Sequence, residues 1–545
     1  MEKKNSFYIT TAIHYANAGP HLGHAYEGLL ADIVARYKRE KGMPTFFLTG
    51  TDEHGDKILR SAKKVDMGPQ AFVDMNAQKF KDLYEAMSLS NDEFIRTSDQ
   101  KKHWPGAIAL WNTIKETGDI YKGVYKGLYC VGCEAFKTEK DLVDGKCPDH
   151  KIAPEEIEEE NYFFKLSKYA DEIIKLIESD TIRILPEARK NEMLALVKEG
   201  IEDISFSRPE RDIPWGIPVP GEPGQNMYVW CDALFNYISA LGYGTEHDEN
   251  FKKFWPADVH IVGKDILRFH AIFWPAMLLS AKLPLPKNIW VHGMITSDGQ
   301  KMSKSIGNVV DPMEYIRDYG PDAFRYFLAR EIPPFEDGDF SEEKFVTAYN
   351  ANLANGLGNL VSRTIKMTQT YFGGTIKKKE DYVDVPLLIR RDLFKGTEYL
   401  QGYSIPYTIE WAILPEYQEK MEAFEVQQAA DVIWKFIGLL DGYITKHEPF
   451  KLIKEDREKT ENILWNILYG LYFVGVMVVP FMPDTAKKIW TAIGVDNMDE
   501  KYGTPLSFQT QQIDEALFAR IELKKIEEPQ PVPQPDSQPT EEGQV

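Results

Sequence analysis

The chain has 545 residues, of which 43% are hydrophobic and 27% charged, with a formal net charge of -20. That length exceeds one hydrophobic core and implies roughly three or four domains of ordinary size in a water-soluble globular protein. The acidic balance excludes a surface that is basic throughout, so any nucleic acid must be met by local patches, with modest affinity and pronounced salt dependence.

The start, Met1-Glu2-Lys3-Lys4-Asn5-Ser6, carries neither an apolar targeting stretch nor an Arg-rich transit segment, and a cytoplasmic setting is expected. Phe7 to Ile13 reads as a strand. Pro20-His21-Leu22-Gly23-His24 then opens a helix whose apolar face recurs at Tyr26, Leu29, Leu30, Ile33, Val34 and Tyr37. A strand, a turn and a helix start in that order make a phosphate site. Gly23 lets a ligand come close to the backbone, the helix end presents unpaired N–H groups, and His21 and His24 flank it as donors to a polyphosphate. A capped surface turn is the plainer alternative. The strand Thr45 to Thr49 and helical stretches through Lys115 continue the pattern of a doubly wound parallel sheet.

That pattern breaks near Tyr121 and resumes near Asn226, so 1–120 reads as the first half of a catalytic domain and 121–225 as an insertion. Cys130-Val131-Gly132-Cys133 and Cys147-Pro148-Asp149-His150 have turn residues and spacing suited to three thiolates and one imidazole around a tetrahedral zinc. Four protein ligands leave no place for water, which marks a structural metal, one per chain. Disulfides are the alternative, disfavoured where a reducing compartment keeps thiols free. Cys231 lies elsewhere, beside Trp230. The alternation returns with Val259 to Gly263, the helix Ile266 to Ala281 and the strand Trp290 to Ile295, the second catalytic half at 226–325.

After the turn at Asp298-Gly299 comes Lys301-Met302-Ser303-Lys304-Ser305, a loop whose lysines and hydroxyls can close over the same phosphates; a merely solvated loop is the alternative. Asp311-Pro312 is a good helix start. A junction at 326–345 leads into long helical patterns, Phe345 to Tyr371, Val426 to Thr445 and Ile463 to Val479, which make a helix bundle of 346–525. The apolar run Ile463 to Phe481 is interrupted by Asn466 and ended by Pro480 and Pro483, so it reads as a buried helix and not a membrane span. The proline-rich segment 526–545 is expected to be a disordered tail. The fold class is α/β: a Rossmann-like doubly wound parallel sheet split by a zinc-binding insertion and followed by an α-helical bundle.

The two strings at 20–24 and 301–305 together resemble the paired signature of the class I aminoacyl-tRNA synthetases, in which an insertion splits the nucleotide-binding fold and the two motifs meet across the active site. Residues between and beyond them narrow the resemblance to the methionyl-tRNA synthetases of bacterial type with a single zinc knuckle, from Phe7 to about Leu523. This implies activation of L-methionine by ATP, with Mg2+ accompanying the nucleotide, and transfer to the 3'-terminal adenosine of tRNA(Met), initiator and elongator. Such chemistry needs positioning and charge stabilisation more than a strong base. His21 and His24 would bind the phosphates, Lys301 and Lys304 would neutralise departing pyrophosphate, Gly263 would let the adenosine approach, and Asp265 would accept from its ribose.

Four segments look like the family's methionine pocket: Ala12-Ile13-His14-Tyr15, Thr51-Asp52-Glu53-His54-Gly55, Tyr228 to Tyr237, and Val291-His292-Gly293. The resemblance gives the ammonium group to Asp52 and the side chain to Ile13, Tyr15, Trp230, Ala233, Leu234, Tyr237 and His292, an apolar and aromatic slot suited to a polarizable thioether. Without the family, those aromatics would read as core, and His14 has no role in this reading. The family's zinc knuckle lies near the acceptor end of tRNA. Isoleucine, valine and leucine enzymes carry an editing domain too large for 121–225, and the cysteine enzyme binds zinc in its amino-acid pocket.

On the tRNA side, Gly338-Asp339-Phe340-Ser341 resembles the stem-contact junction. Asn359 and Arg363, which share a helix face, match anticodon-reading positions. Phe450, in Glu448-Pro449-Phe450, stands where tryptophan is usual; it retains a stacking face, and a buried hydrophobic staple is the alternative. A nucleotidyltransferase acting without tRNA would need no bundle of this size, and intact His21, His24, Lys301 and Lys304 argue against an inactive RNA-binding scaffold. No added C-terminal dimerisation domain is visible, so a monomer without a membrane partner is expected.

Overall fold

The computed structural model describes residues 5–131, 133, 135–137, 139–211, 213–302, 308–378, 387–388, 401–495, 507–513 and 515–522. A six-stranded parallel sheet runs in the order Glu93–Arg96, Thr45–Asp52, Phe7–Tyr15, Val259–Gly263, Asn288–His292 and Arg183–Leu185. Every residue of Thr45–Asp52 is buried, as a parallel sheet covered on both faces requires. Adjacent central strands come from residues 7–15 and 259–263, so the insertion splits the sheet at its middle.

The interval 121–225 is not one block outside that sheet. Arg183–Leu185 pairs in parallel with Asn288–Trp290 as the edge strand. Ile173, Ile177, Ile184 and Met193 join the same core as Tyr8, Leu48 and Val262. Three residues between helices are too few to show a period of two, which is why this strand is invisible in the sequence. What does stand apart is a four-stranded antiparallel sheet in the order Ala135–Lys137, Ile120–Cys130, Glu155–Phe164 and Ile204–Ser205.

The single strand expected over Trp290 to Ile295 is two. Asn288–His292 ends in the main sheet, and Ile295–Ser297 turns away to pair with Gly338–Phe340 and with Gln300–Lys301. Gly293 makes the break, since a Cβ there would lie 1.8 Å from the Glu336 carbonyl oxygen. The expected helix Ile266 to Ala281 also changes pitch, with a π-helical turn at Phe269–Phe273 ahead of Trp274–Ser280.

The bundle is built on Glu342–Ala348, Asn359–Phe372, Val426–His447 and Arg457–Val478. Arg457–Val478 is long and apolar enough to cross a membrane, but 89% of its most apolar window is buried inside the protein, as expected for a core helix. Residues of the proline-rich tail lie outside the described residues.

On helix Leu22–Glu40, the Asp32 carboxylate is 2.7 Å from the Arg325 guanidinium, both fully buried. Arg325 also donates to the carbonyls of Met87, Pro480 and Phe481 at 3.1, 2.7 and 2.8 Å. Asp32 accepts in addition from Arg36 and from the Ser90 backbone and hydroxyl. Burial alone would lift its carboxyl; Arg325 and Arg36 outweigh that and hold it below the usual carboxylate range. Arg325→Met strands a buried charge and is expected to cost about 3–5 kcal/mol, read as an earlier denaturation midpoint, with Asp32→Leu in the same chain recovering most of it. An unchanged midpoint in the single variant would contradict this account.

Candidate active site and metal cluster

The helix Leu22–Glu40 starts on a reciprocal capping box made of two histidines. His21 Nδ1 accepts from the Gly23 N–H at 3.1 Å, and His24 Nδ1 accepts from the His21 N–H at 3.2 Å. A neutral imidazole that accepts at Nδ1 carries its proton on Nε2, so both rings are set up as Nε2–H donors at a helix N-terminus. Their rings stack with centroids 3.8 Å apart. Desolvation, reinforced by the neighbouring imidazoles of His14, His21 and His292, pushes His24 well below its ordinary pKa and keeps it neutral.

His14, without a role in the sequence, forms the wall behind this pair. Its ring lies 4.5 Å from that of His24, stacks on Phe80 at 5.4 Å, and meets the Tyr84 hydroxyl at 2.6 Å.

Beside the capping box lies an acid that sequence reasoning missed. Glu27 is buried; one oxygen accepts from the Ala12 N–H at 2.7 Å and the other is 2.9 Å from His292 Nε2. His292 Nδ1 faces the Gly293 carbonyl at 2.8 Å, which can only accept, so the ring donates from both nitrogens. Burial opposes the charge, but the Glu27 carboxylate and the carbonyl outweigh it and raise the imidazole above its ordinary value. A Cβ on Gly263 would lie 2.8 Å from Asp265 Oδ1 and 3.9 Å from His292 Nε2. Gly263, Asp265 and His292 therefore share one corner at the carboxyl ends of the strands, where open α/β sheets bind ligands.

The slot expected for a thioether is assembled by helix Val229–Ser239. Trp230 is half-buried and lies flat on Phe269, centroids 3.6 Å apart and planes within 5°. Ala233, Leu234 and Tyr237 are buried on the same helix. Tyr237 meets His270, not His292: its hydroxyl is 2.7 Å from His270 Nε2, while His270 Nδ1 faces the Ile266 carbonyl at 3.0 Å. Burial lowers the His270 pKa to about 4, so that ring is neutral and accepts the Tyr237 proton. Phe269 and His270 are adjacent on the π-helical turn, and π turns of this kind gather at functional sites. The only sequence signal for them was an unbroken apolar helix. Ile13 and Tyr15 end the first strand, half-buried, and Asp52 ends its neighbour, buried.

The hairpin Ile295–Ser297/Gln300–Lys301 is pinned by Asp339, which accepts from Thr296 Oγ1, the Gly299 N–H and Lys344 Nζ, each at 2.7 Å. The Lys301 side chain and Lys304 lie outside the described residues.

In the insertion, Cys130, Cys133, Cys147 and His150 bring their ligand atoms within 4.8 Å of one another. Cys133 Sγ is 3.5 Å from Cys147 Sγ and 3.3 Å from His150 Nδ1, and Cys147 Sγ is 3.9 Å from that nitrogen. A tetrahedron with arms of about 2.3 Å has edges of about 3.8 Å, so three thiols and an imidazole here fit a zinc ion. All four cysteines are free, which removes the disulfide alternative. Cys231 is buried apart from the cluster, near the Phe206 carbonyl.

In the bundle, Asn359 is exposed at the start of Asn359–Phe372, and Arg363, one turn on, holds Asp441 at 2.9 Å. Phe450 follows the end of the Asp441 helix at His447 and is 40% exposed, which rules out the buried staple. Asp441 and His447 are separated by roughly 9 Å of helix.

A family model described as class I tRNA synthetases (M) matches residues 7–156 and 149–365, and one described as the anticodon binding domain of methionyl tRNA ligase matches 409–528. Fold, site and matches define a class I aminoacyl-tRNA synthetase. The chain is 44% identical over 529 residues to the methionine–tRNA ligase of Caldanaerobacter subterraneus subsp. tengcongensis, covering 96% of this chain and 80% of that one. It is 41% identical over 528 residues to that of Thermotoga maritima, covering 95% and 81%. The Mycobacterium tuberculosis methionyl-tRNA synthetase in complex with methionyl-adenylate superposes with a TM-score of 0.87 at 35% identity, over 95% of this chain and 100% of that one. The free-state form of that enzyme gives 0.82 at 33% identity, over 95% and 99%. The chain belongs to the methionyl-tRNA synthetases.

The Glu27–His292 pair predicts a pH dependence with a definite sign. A raised folded pKa means that the pair's stabilisation is fully present below the ordinary value of 6.5 and is lost as pH rises through the folded value. Glu27→Gln should bring the His292 midpoint down, followed by NMR on histidine-labelled protein, and should flatten the loss of thermal stability above pH 6.5. A His292 midpoint that does not move would overturn the pairing.

Proposed function

We propose that the chain activates L-methionine with ATP to methionyl-adenylate and transfers the methionyl group to the 3'-terminal adenosine of tRNA(Met), initiator and elongator alike. The observation that carries this reading is that Glu27, on the histidine-capped helix, meets His292 beside Gly263 and Asp265 at the carboxyl ends of the parallel sheet. The methionine carboxylate attacks the α-phosphorus of ATP, and the bond to pyrophosphate breaks. His21 and His24 donate from Nε2 to the phosphates, Asp265 holds the ribose, and Lys301 and Lys304 take up charge on the leaving pyrophosphate, with Mg2+ bound to the nucleotide. Asp52 holds the ammonium group; Ile13, Tyr15, Trp230, Ala233, Leu234 and Tyr237 enclose the side chain. His292 serves this pocket from the nucleotide side.

The catalytic unit is 1–120 with 226–325 and the strand at 183–185; the remaining insertion carries the zinc, 326–345 is the junction, and 346–525 reads the anticodon through Asn359, Arg363 and Phe450. The protein works as a cytoplasmic monomer. Pyrophosphate exchange into ATP tests the first half-reaction: methionine should support it, and leucine, isoleucine and cysteine only feebly. Arg363→Ala should leave that exchange nearly intact and lower methionylation of tRNA strongly, because the Arg363–Asp441 pair is partly exposed and adds little stability. Equal exchange with leucine would overturn the substrate, and undiminished charging by the Arg363 variant would overturn the anticodon site.

Zinc in this reading is structural. Elemental analysis should return about one zinc per chain, and Cys130→Ser should lose the metal and loosen the insertion, seen as faster proteolysis near its sheet. Metal-free wild-type protein that resists proteolysis equally would remove the assignment.

A further inference from the structure

A second polar cluster lies behind the amino-acid slot. Asp232, 1% exposed on helix Val229–Ser239, has Oδ2 2.6 Å from His54 Nδ1 and Oδ1 2.7 Å from His103 Nε2. His103 Nδ1 is 2.7 Å from Ser239 Oγ. His54 and His103 are 2% and 0% exposed. Burial would lift the Asp232 carboxyl, but the two imidazoles outweigh it and hold it below its usual range. An ionised carboxylate only accepts, so each ring nitrogen facing it carries a proton.

The cluster joins three elements. His54 stands two residues after Asp52, on a loop held from outside by Trp215, whose Nε1–H donates to the Glu53 carbonyl at 2.6 Å, and by Arg96, which grips the Glu53 carboxylate with two nitrogens at 2.7 and 2.9 Å. Asp232 stands between Trp230 and Ala233. His103 precedes helix Trp104–Glu116 and is anchored by its N–H to the Asp99 carbonyl at 2.9 Å. Sequence separation between the Asp52 loop and the slot helix is 178 residues at the His54–Asp232 contact, so no local chain geometry sets their spacing. Apolar side chains would pack these elements at least as stably as a buried ionic cluster; what directional hydrogen bonds add is a defined distance.

We propose that His54, Asp232 and His103 form a positioning clamp that fixes the separation between the Asp52 carboxylate and the Trp230–Tyr237 slot, and thereby sets the side-chain length this chain accepts. The inference rests on the reading of Asp52 and the slot as the two ends of the amino-acid site. None of the three need touch the substrate: they act through the elements that do.

The test is steady-state pyrophosphate exchange with methionine and with ethionine, one methylene longer, for the wild type, His103→Leu, His103→Gln and Ser239→Ala, each with a melting curve. In His103→Leu the KM for methionine should rise roughly tenfold, while kcat and the KM for ATP change less than about threefold. The ethionine-to-methionine ratio of kcat/KM should rise about fivefold, because an extra methylene is excluded only by walls that hold their position. His103→Gln, whose Nε2 donor reaches the same carboxylate oxygen, should recover most of both effects. Ser239→Ala should shift both quantities the same way more mildly, and it carries the test if His103→Leu does not fold. A folded His103→Leu or Ser239→Ala with an unchanged ratio, or with parallel losses on both amino acids, overturns the clamp. Asp52→Ala separates the two levels: if it leaves the methionine KM unchanged, the slot reading itself fails, and if it raises that KM while the ratio stays fixed in the clamp variants, only the clamp fails.

Discussion

The buried Asp32–Arg325 contact holds the one helix that carries the histidine capping box at its start and Glu27 against His292. Leu22–Glu40 begins at the histidine capping box, places Glu27 under His292 one turn later, is held at Asp32 by Arg325, and reaches Glu422 through Lys38 near its end. One helix thus carries the histidine capping box at its start and a contact with Glu422 near its end. Two ions buried together are an inefficient way to gain stability. Their use at this joint is orientation, since Arg325 also holds three backbone carbonyls that no apolar residue could hold.

The same economy recurs around the amino-acid slot. Both faces that would meet a methionine side chain rest on a second tier of polar or aromatic groups: Trp230 on Phe269, Tyr237 on His270, and the whole helix on His54 and His103 through Asp232. The insertion touches this tier as well. Tyr129, next to Cys130 of the cysteine–histidine cluster, stacks under the buried Arg208 at 4.4 Å, and Arg208 lies 5.4 Å above Tyr228, the residue that caps helix Val229–Ser239. The cysteine–histidine cluster and helix Val229–Ser239 are therefore joined by a packed cation–aromatic stack.

Much of this was legible in the sequence wherever the signal was local. The helix at Leu22 was announced by its apolar period and its histidines, the helix at Pro312 by Asp311, which does accept from the Met313 N–H, and the cysteine–histidine cluster by its spacing. The reading failed where pairing is non-local or the element is short. Three residues at Arg183–Leu185 joined a sheet they are far from in sequence, and Gly293 broke a strand because of backbone that arrives from Glu336. Glu27 carries no local signal in the sequence, and only the fold sets it against the Ala12 N–H and His292.

What the sequence determined by itself was local: two histidines at a helix start, and three cysteines and a histidine on two turns that come together in one cluster. Periodicity, turn residues and ligand spacing act over a few residues and need no partner. Which of the buried polar groups would meet was decided only by the tertiary structure. Asp232 is one acid among 84, and its two histidine partners lie 178 and 129 residues away. A burial that makes a carboxylate depend on two imidazoles exists only once the sheet has closed over it, because desolvation is a property of the packed interior and not of the chain.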